Sequence, residues 1–279
     1  MSFFIDPWLY NCPSNPGDSP AEQAEQRAII EGTQRALRYA RNRGVTLVAA
    51  LGNGATDKGN PTVDDISPTY PPGNERTRTI DNSCLDLPTE GEGVLGVSAV
   101  GPSGRKAVYS DYGTEQTDLS APGGDLVDFP GTDAFGAPEN GVLGPTSEEW
   151  LRLIEALEPD GTPNTPTVRR ECLGGSCWYW EYADGTSAAA PHATGVAALI
   201  VAEFGRRDRR HGGLQMSPSK VERILRRSAT DEPCPEPRTY VYPAIPEIEL
   251  PELSATCEGP PWRNGFYGDG IVNALEAVR

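Results

Sequence analysis

Hydrophobic positions recur every three or four residues between Ser19 and Gly44, the spacing of one helical face. The stretch begins with Ser19-Pro20-Ala21-Glu22, in which serine caps the helix, proline fits its first turn and glutamate caps the serine in return. Gly44 suits the left-handed residue that ends a helix. The apolar face consists of Ala24, Ala28, Ile29, Ala36, Leu37 and Ala40. The pattern therefore predicts one long helix between Ser19 and Gly44.

Apolar runs on both sides of this helix predict strands. Residues 45–51 form a run typical of a parallel strand that is covered on both faces. Residues 1–5 predict an opening strand, so that strand, helix and strand make a right-handed crossover unit. Further short strands are expected at residues 94–100, 106–110 and 117–120. Together these elements indicate an α/β fold with a mostly parallel sheet.

The rest of the pattern predicts loops and three more helices. Proline and aspartate dominate residues 54–93, which indicates a loop. Helices are expected at residues 147–157, at residues 187–204, and from Ser217-Pro218 to about Ser228. The aromatic run Trp178-Tyr179-Trp180 fits either a peptide cleft or local packing, and packing is the favoured interpretation.

Composition narrows the possible partners. The 279 residues are 37% hydrophobic, enough for a core, and carry a net charge of −16. Nucleic acid is not an expected partner, because phosphate contacts need basic patches. No membrane contact is expected either, because no apolar run reaches the length of a span. No cofactor is expected. Asp57, Asp64 and Asp65 offer calcium ligands, but without a regular ligand spacing they favour a solvated loop.

Six cysteines allow fifteen disulfide connectivities. Their even number without a Cys-x-x-Cys pair favours disulfides over zinc. We expect pairing between sequence neighbours: Cys12–Cys84, Cys172–Cys177 and Cys234–Cys257. Disulfides would indicate an oxidising, extracellular setting and a secreted protein. Six buried thiols in a cytosolic protein remain the alternative.

The stretch Asp184-Gly185-Thr186-Ser187 marks a turn that opens an apolar helix. Ser187 would meet unpaired backbone N–H groups and the positive end of the helix dipole. A serine nucleophile gains from this setting, because the donors already stand where its attack creates an oxyanion. The alternative is a simple helix cap.

The longer motif from Asp184 to Gly195, with Pro191-His192 inside it, resembles the serine motif of the subtilases, the subtilisin-like serine peptidases. Residues 47–53, 118–123 and 268–274 are similar to other segments of that family, in the family's order. The resemblance covers most of residues 1–279 and implies a three-layer α/β/α domain. Compared with the family pattern, residues 123–184 form an atypical insertion. The proline content of residues 231–262 separately predicts an extended surface arm, joined by Cys234 and Cys257.

The resemblance assigns roles to individual residues. Ser187 would be the nucleophile, and Asn53 with the Ser187 N–H would form the oxyanion hole. Ala50, Leu51 and Gly52 would line the main specificity pocket. Peptide and protein substrates would bind as an added strand between two edges. Ser2-Phe3-Phe4 would be one edge, and the other would lie around residues 110–113.

The general base is the missing part. Upstream of the serine there is no histidine, although subtilisin-type triads place both aspartate and histidine there. His192 lies ~140° around the helix from Ser187 and about 7.5 Å along it, so a backbone hydrogen bond is its expected role. His211 lies in a basic, exposed-looking loop. The domain is therefore expected to be incomplete at its N-terminus, with Met1 an internal methionine and the chain inactive alone.

These observations predict part of a serine endopeptidase that works through an acyl-serine intermediate. Two alternatives remain at this point. One is a catalytically inactive peptide-binding or scaffold protein with the same fold. The other is a sedolisin-like serine-carboxyl peptidase, whose base is acidic.

Overall fold

Three parallel strands form the central sheet in the computed structural model, which describes residues 5–210, 212–242, 244 and 252–279. Strands in the described residues are β1 (Tyr10–Asn11), β2 (Leu47–Ala50), β3 (Val63–Asp64), β4 (Arg78–Thr79), β5 (Leu85–Asp86), β6 (Val94–Val100), β7 (Leu119–Pro122), β8 (Val142–Thr146), β9 (Val168–Leu173), β10 (Ser176–Ala183), β11 (Arg206–Arg207), β12 (Leu214–Gln215), β13 (Thr239–Tyr242) and β14 (Leu253–Thr256). Helices are α1 (Pro20–Asn42), α2 (Glu148–Leu153), α3 (Thr186–Phe204), α4 (Pro218–Ser228) and α5 (Ala274–Ala277).

The central sheet has the order β2-β6-β7, with Ala49 opposite Gly96 and Ala99 opposite Ala121. All seven residues of β6 are buried, because this middle strand is covered on both faces. Its bounds agree with the predicted run at residues 94–100. The last strand is shifted by two residues from the predicted 117–120.

Helices cover both faces of this sheet. On one face α1 contributes Leu37 to a cluster with Leu47, Ala49 and Val94. On the other face α3 and α4 pack their apolar sides into the largest core cluster; its members include Val97, Leu119, Ala193, Ile200, Val221 and Leu225. The predicted three-layer α/β/α architecture is confirmed.

The capping residues fix the ends of α1 as the sequence predicts. Ser19 Oγ accepts the Glu22 N–H at 3.3 Å, and the Glu22 carboxylate accepts the Ser19 N–H at 2.7 Å. Gly44 has a φ of 87°, a conformation that most other residues avoid. Of the preceding predicted strand, residues 1–4 lie outside the described part of the chain, so the crossover stays a prediction.

The strand predicted at residues 106–110 is wrong. Only Lys106 bridges to Val100, and the following residues form a turn in which the Ser110 N–H donates to Ala107 O at 3.0 Å. The Ser110 hydroxyl then accepts the Ala99 N–H at 2.9 Å, a place that a backbone carbonyl would fill in a strand. Here the Ser110 side chain takes the place of a backbone hydrogen bond between paired strands.

The acidic loop of residues 54–93 is less solvated than predicted. It contains the two-residue strands β3, β4 and β5. Asp64 is buried and forms an ion pair with Arg78, which also pairs with Asp18 at 2.8 Å. Asp64 therefore holds the loop together instead of facing solvent.

The expected insertion folds as a small antiparallel sheet of order β8-β10-β9 with α2 against it. Tyr179 is buried with Leu151 and Val168, and its hydroxyl donates to Gly161 O at 3.0 Å. Packing is thus confirmed for Tyr179, whereas Trp178 is 49% exposed. The predicted helix of residues 147–157 is shorter than expected, since it ends at Leu153.

The proline-rich arm includes a hairpin of β13 and β14. Tyr242 is buried, and its hydroxyl donates to Lys106 O at 2.8 Å. Ala255 joins the same cluster as Phe266 and Tyr267, so the described part of the arm is partly core and not only surface.

All six cysteines are paired, and the three predicted disulfides are confirmed: Cys12–Cys84, Cys172–Cys177 and Cys234–Cys257. One helix among the described residues, α3, is long and apolar enough to cross a membrane by length and composition. In this fold α3 packs against β2, β6 and β7 as a core helix.

Candidate active site

The serine predicted as nucleophile lies in the first turn of α3. Gly185 precedes the helix with a φ of 149°, and its carbonyl accepts the N–H groups of Ala188 and Ala189. The helix begins at Thr186, which is buried, while Ser187 is exposed. The N–H of Ser187 has no partner among the described residues, as expected in a first helical turn. A free donor and a free hydroxyl therefore belong to the same accessible residue.

Asn53 reaches this turn from the end of β2. Its Oδ1 accepts two hydrogen bonds from Thr186, one from the N–H at 2.9 Å and one from the hydroxyl at 2.8 Å. The Thr186 hydroxyl in turn accepts the Gly52 N–H at 3.1 Å. These bonds occupy the amide oxygen and leave the Asn53 NH₂ group on the other side.

The position that a Cβ would take at Gly185 lies close to both free donors. A Cβ at Gly185 would stand 3.3 Å from Asn53 Nδ2, 3.6 Å from the Ser187 nitrogen and 3.9 Å from Ser187 Cβ. Because glycine has no side chain, the space beyond this position stays open, and both N–H donors border it. An oxyanion formed in this space by attack of Ser187 would lie near both donors.

Tyr109 stabilises the turn at Gly185 that precedes α3. Its hydroxyl accepts the Gly185 N–H at 2.8 Å and lies 2.9 Å from Gly123 O and 2.7 Å from Gly124 O. The Gly185 N–H also bonds to Gly123 O at 2.9 Å. Burial raises the pKa of Tyr109 above its usual range, so the hydroxyl stays protonated and able to donate.

A cavity of about 460 Å³ opens next to Ser187. The three residues predicted to line the specificity pocket, Ala50, Leu51 and Gly52, all line it. Its other walls include Tyr10, Val63, Ile66, Thr89 and the charged side chains of Lys58, Asp86 and Asp111. The site thus brings together an exposed serine, two N–H groups without partners among the described residues, and a cavity.

A model of the subtilase family matches residues 15–243 of this chain. The chain belongs to the subtilase family. Bacillopeptidase F of Bacillus subtilis (strain 168) is 26% identical over 177 residues, which make up 61% of this chain and 10% of that protein. This subtilase therefore spans about a tenth of that relative.

Solved structures share the fold of this subtilase at low sequence identity. A lanthipeptide protease has a TM-score of 0.55 and 21% identity, over 96% of this chain and 58% of that one. The epidermin leader peptide processing serine protease of Staphylococcus aureus has a TM-score of 0.53 and 17% identity, over 99% and 49%. The nisin leader peptidase of Lactococcus lactis has a TM-score of 0.52 and 18% identity, over 99% and 56%. This chain spans about half the length of these solved chains.

One of the two predicted substrate edges is wrong. Residues 110–113 are not a free edge, because Asp111 N–H donates to Gly52 O at 2.9 Å and Tyr112 N–H donates to Thr56 O at 3.0 Å. The segment already pairs with the chain that follows β2. The other predicted edge contains Ser2 and Phe3, which lie outside the described residues.

The histidines of this subtilase leave the base unassigned. His192 is exposed, and its Nδ1 lies 2.9 Å from Ala188 O, which confirms the expected backbone bond. His211 lies outside the described residues. In the described part of the chain, no group of three His, Cys, Asp or Glu side chains is placed to hold a metal ion.

Three residues near the site were not identified from the sequence. Tyr109 is one of several tyrosines, and no local pattern links it to Gly185. Lys58 and Asp111 are 53 positions apart and meet only through folding, with Lys58 Nζ 3.4 Å from Asp111 Oδ2. The one local signal was the acidic composition around residues 57–65, which indicated a loop but not the ion pair.

Proposed function

We propose that this subtilase is a serine endopeptidase in which Ser187 is the nucleophile and Asn53 stabilises the oxyanion. One observation carries the proposal: Asn53 Nδ2 and the Ser187 nitrogen both border the space that Gly185 leaves open, 3.3 and 3.6 Å from the position that a Cβ would take there. The Thr186 bonds set the Asn53 amide in the orientation that this role requires. The cavity lined by Ala50, Leu51 and Gly52 would take a substrate side chain, as a peptide or protein substrate needs.

The chemistry follows from these parts. Ser187 Oγ attacks the carbonyl carbon of the peptide bond and loses its proton to a base. The carbonyl oxygen becomes an oxyanion that accepts hydrogen bonds from Asn53 Nδ2 and the Ser187 N–H. The C–N bond then breaks, the base returns the proton to the leaving amine, and water hydrolyses the acyl-serine.

We expect the base and its orienting carboxylate to come from sequence outside residues 1–279. Subtilisin-type triads place the histidine before the serine, and residues 1–186 contain no histidine, since His192 and His211 both follow Ser187. His192 is also bonded to the backbone of its own helix. Nucleophile activation requires a base within hydrogen-bond reach of the serine. The 279-residue chain alone should hydrolyse peptides very slowly or not at all.

We also infer that the protein works in an oxidising compartment, in keeping with secretion. Three disulfides account for all six cysteines. Such bonds persist outside the reducing cytosol.

The test compares the natural polypeptide that contains this chain with its Ser187→Ala variant. The parent should digest casein and react with a fluorophosphonate probe, and Ser187→Ala should do neither. Ser176→Ala, which alters an exposed serine of β10, is the control and should keep both properties.

Two results would contradict parts of the proposal. A parent that binds peptides but neither cleaves them nor reacts with the probe would indicate an inactive peptide-binding scaffold. Casein digestion by the purified 279-residue chain, blocked by a serine-directed inhibitor, would place the base within these residues. Family membership gives no support to the sedolisin alternative.

A further inference from the structure

Asp111 binds the backbone on both sides of Asn53. One oxygen of its carboxylate, Oδ1, accepts the Gly54 N–H at 2.9 Å and the Thr56 N–H at 2.8 Å. The Asp111 N–H donates to Gly52 O at 2.9 Å. Asp111 therefore binds the chain immediately before and immediately after Asn53.

Asp111 lies so close to the backbone that position 52 requires a glycine. Gly52 has a φ of 121°, which favours glycine, and a Cβ there would collide with Asp111 Oδ2. A Cβ at Gly54 would lie 3.2 Å from Asp111 Oδ1. Both neighbours of Asn53 thus leave space for this carboxylate.

A buried cation holds the carboxylate in place. Lys58 Nζ forms an ion pair with Asp86 and lies 3.4 Å from Asp111 Oδ2, and the side chains of all three residues are almost fully buried. Burial disfavours the charged ammonium, but the attraction of Asp86 and Asp111 raises the pKa of Lys58 above its usual value. Lys58 is therefore a permanent cation at the floor of the cavity.

We infer that Asp111 is a positioning residue for Asn53 and that Lys58 keeps its carboxylate oriented. The inference rests on the proposed role of Asn53. Thr186 orients the side chain of Asn53, and Asp111 fixes the position of the backbone that carries it. Because a donor must meet the oxyanion within a few tenths of an ångström, loosening this backbone lowers the rate of the chemical step.

The test is a double-mutant cycle in the natural polypeptide, with kcat and KM measured on a peptide that it cleaves. Asp111→Asn should lower kcat about 10-fold, with KM changed less than about twofold. The amide that replaces the carboxylate presents its NH₂ group to Lys58. The hydrogen bonds that hold the backbone around Asn53 therefore weaken, although the side chain keeps its shape. In an Asn53→Ala background the same substitution should change kcat less than about twofold, because the donor that it positions is gone.

Asp128 offers a matched control. It is equally buried, accepts the Ser103 and Phe129 N–H groups at 2.9 and 2.8 Å, and lies 3.3 Å from Arg105. Asp128→Asn removes the same kind of interaction from a different turn. It should lower the melting temperature but leave kcat unchanged.

The double-mutant cycle distinguishes a positioning role of Asp111 from a general structural defect. Equal factors in both backgrounds, or no change in kcat, would overturn the positioning role, since a general structural defect does not depend on Asn53. If Asp111→Asn does not fold by circular dichroism, Lys58→Gln takes its place, with a kcat loss of about threefold that must vanish with Asn53→Ala. A parent no more active than Ser187→Ala would refute the proposed function itself.

Discussion

Asn53 Oδ1 accepts both hydrogen-bond donors of Thr186, the N–H at 2.9 Å and the hydroxyl at 2.8 Å. The two residues are 133 positions apart in the chain. The pair joins the end of the central sheet to the first turn of α3. Because Thr186 directly precedes Ser187, the pair fixes the distance between the proposed nucleophile and its oxyanion donor.

Thr186→Val should separate the role of this hydroxyl from that of the backbone. The substitution keeps the shape but removes one bond to Asn53 and leaves the Gly52 N–H unpaired, at a cost of about 1–3 kcal/mol in unfolding free energy. We expect kcat to fall about 10-fold as Asn53 gains freedom. Urea denaturation and steady-state kinetics on the natural polypeptide measure both effects.

Thr194→Val is the control for that substitution. Among the described residues, the Thr194 hydroxyl donates to Ala190 O in its own helix and to no other group. Its loss should leave kcat unchanged. Equal kcat losses in the two variants would show that the Thr186 hydroxyl has no special role.

Gly185→Ala should block the oxyanion site directly. The added methyl group would occupy the point 3.3 Å from Asn53 Nδ2 and 3.6 Å from the Ser187 nitrogen. We expect kcat to fall by about 10² or more, the order known for removing a donor from a subtilase oxyanion hole. The φ of 149° adds about 1–3 kcal/mol of strain.

Gly195→Ala tests the same change farther along α3. Gly195 has no atom within 4 Å of its Cβ position, so alanine should stabilise the helix by about 0.5–1 kcal/mol and leave activity unchanged. A Gly185→Ala enzyme that kept more than half of its kcat would contradict an oxyanion site in the space beside Gly185.

Local signals explain which parts of this fold were predictable. The caps of α1 and the Ser217-Pro218 start of α4 lie within four residues of the ends that they set, and both helices were predicted closely. Ser187 and Asn53 were singled out because the resemblance to a family supplies what spacing alone does not. Asp111 and Lys58 were missed, since their partners come from distant segments and the sequence carries no trace of the pairing.

Lys106 should make stability depend on pH. It is fully buried among the rings of Tyr112, Tyr242 and Phe266, and its Nζ donates to Ala107 O at 2.9 Å. Burial lowers the pKa of Lys106 from 10.5 to about 7. The unfolded chain therefore binds more protons between pH 7 and pH 10.5, and stability contributed by this residue rises with pH across that window.

Urea denaturation at pH 7, 8.5 and 10 measures this effect. The slope contributed by Lys106 is at most about 1.4 kcal/mol per pH unit. Lys106→Met should remove it and should stabilise the protein most at pH 7. A pH profile that Lys106→Met leaves unchanged would show that Lys106 is not neutral in the folded protein near pH 8.5.

The disulfides should differ in their contribution to stability. Cys12–Cys84 closes a separation of 72 residues and Cys172–Cys177 one of 5. The entropy of the closed loops predicts losses of about 4 and about 2 kcal/mol when each pair is replaced by alanine. Urea denaturation of the two double variants gives the comparison. A larger loss from the short loop would contradict the entropic account.

The bond from Gly185 N–H to Gly123 O closes the base of the excursion that contains β8, β9 and β10. Both ends of that excursion are therefore held together beside Ser187. A change of length between β8 and β10 would leave this bond and the turn at Gly185 in place. For protein engineering, this base is a natural graft point at which a foreign recognition element would lie next to Ser187.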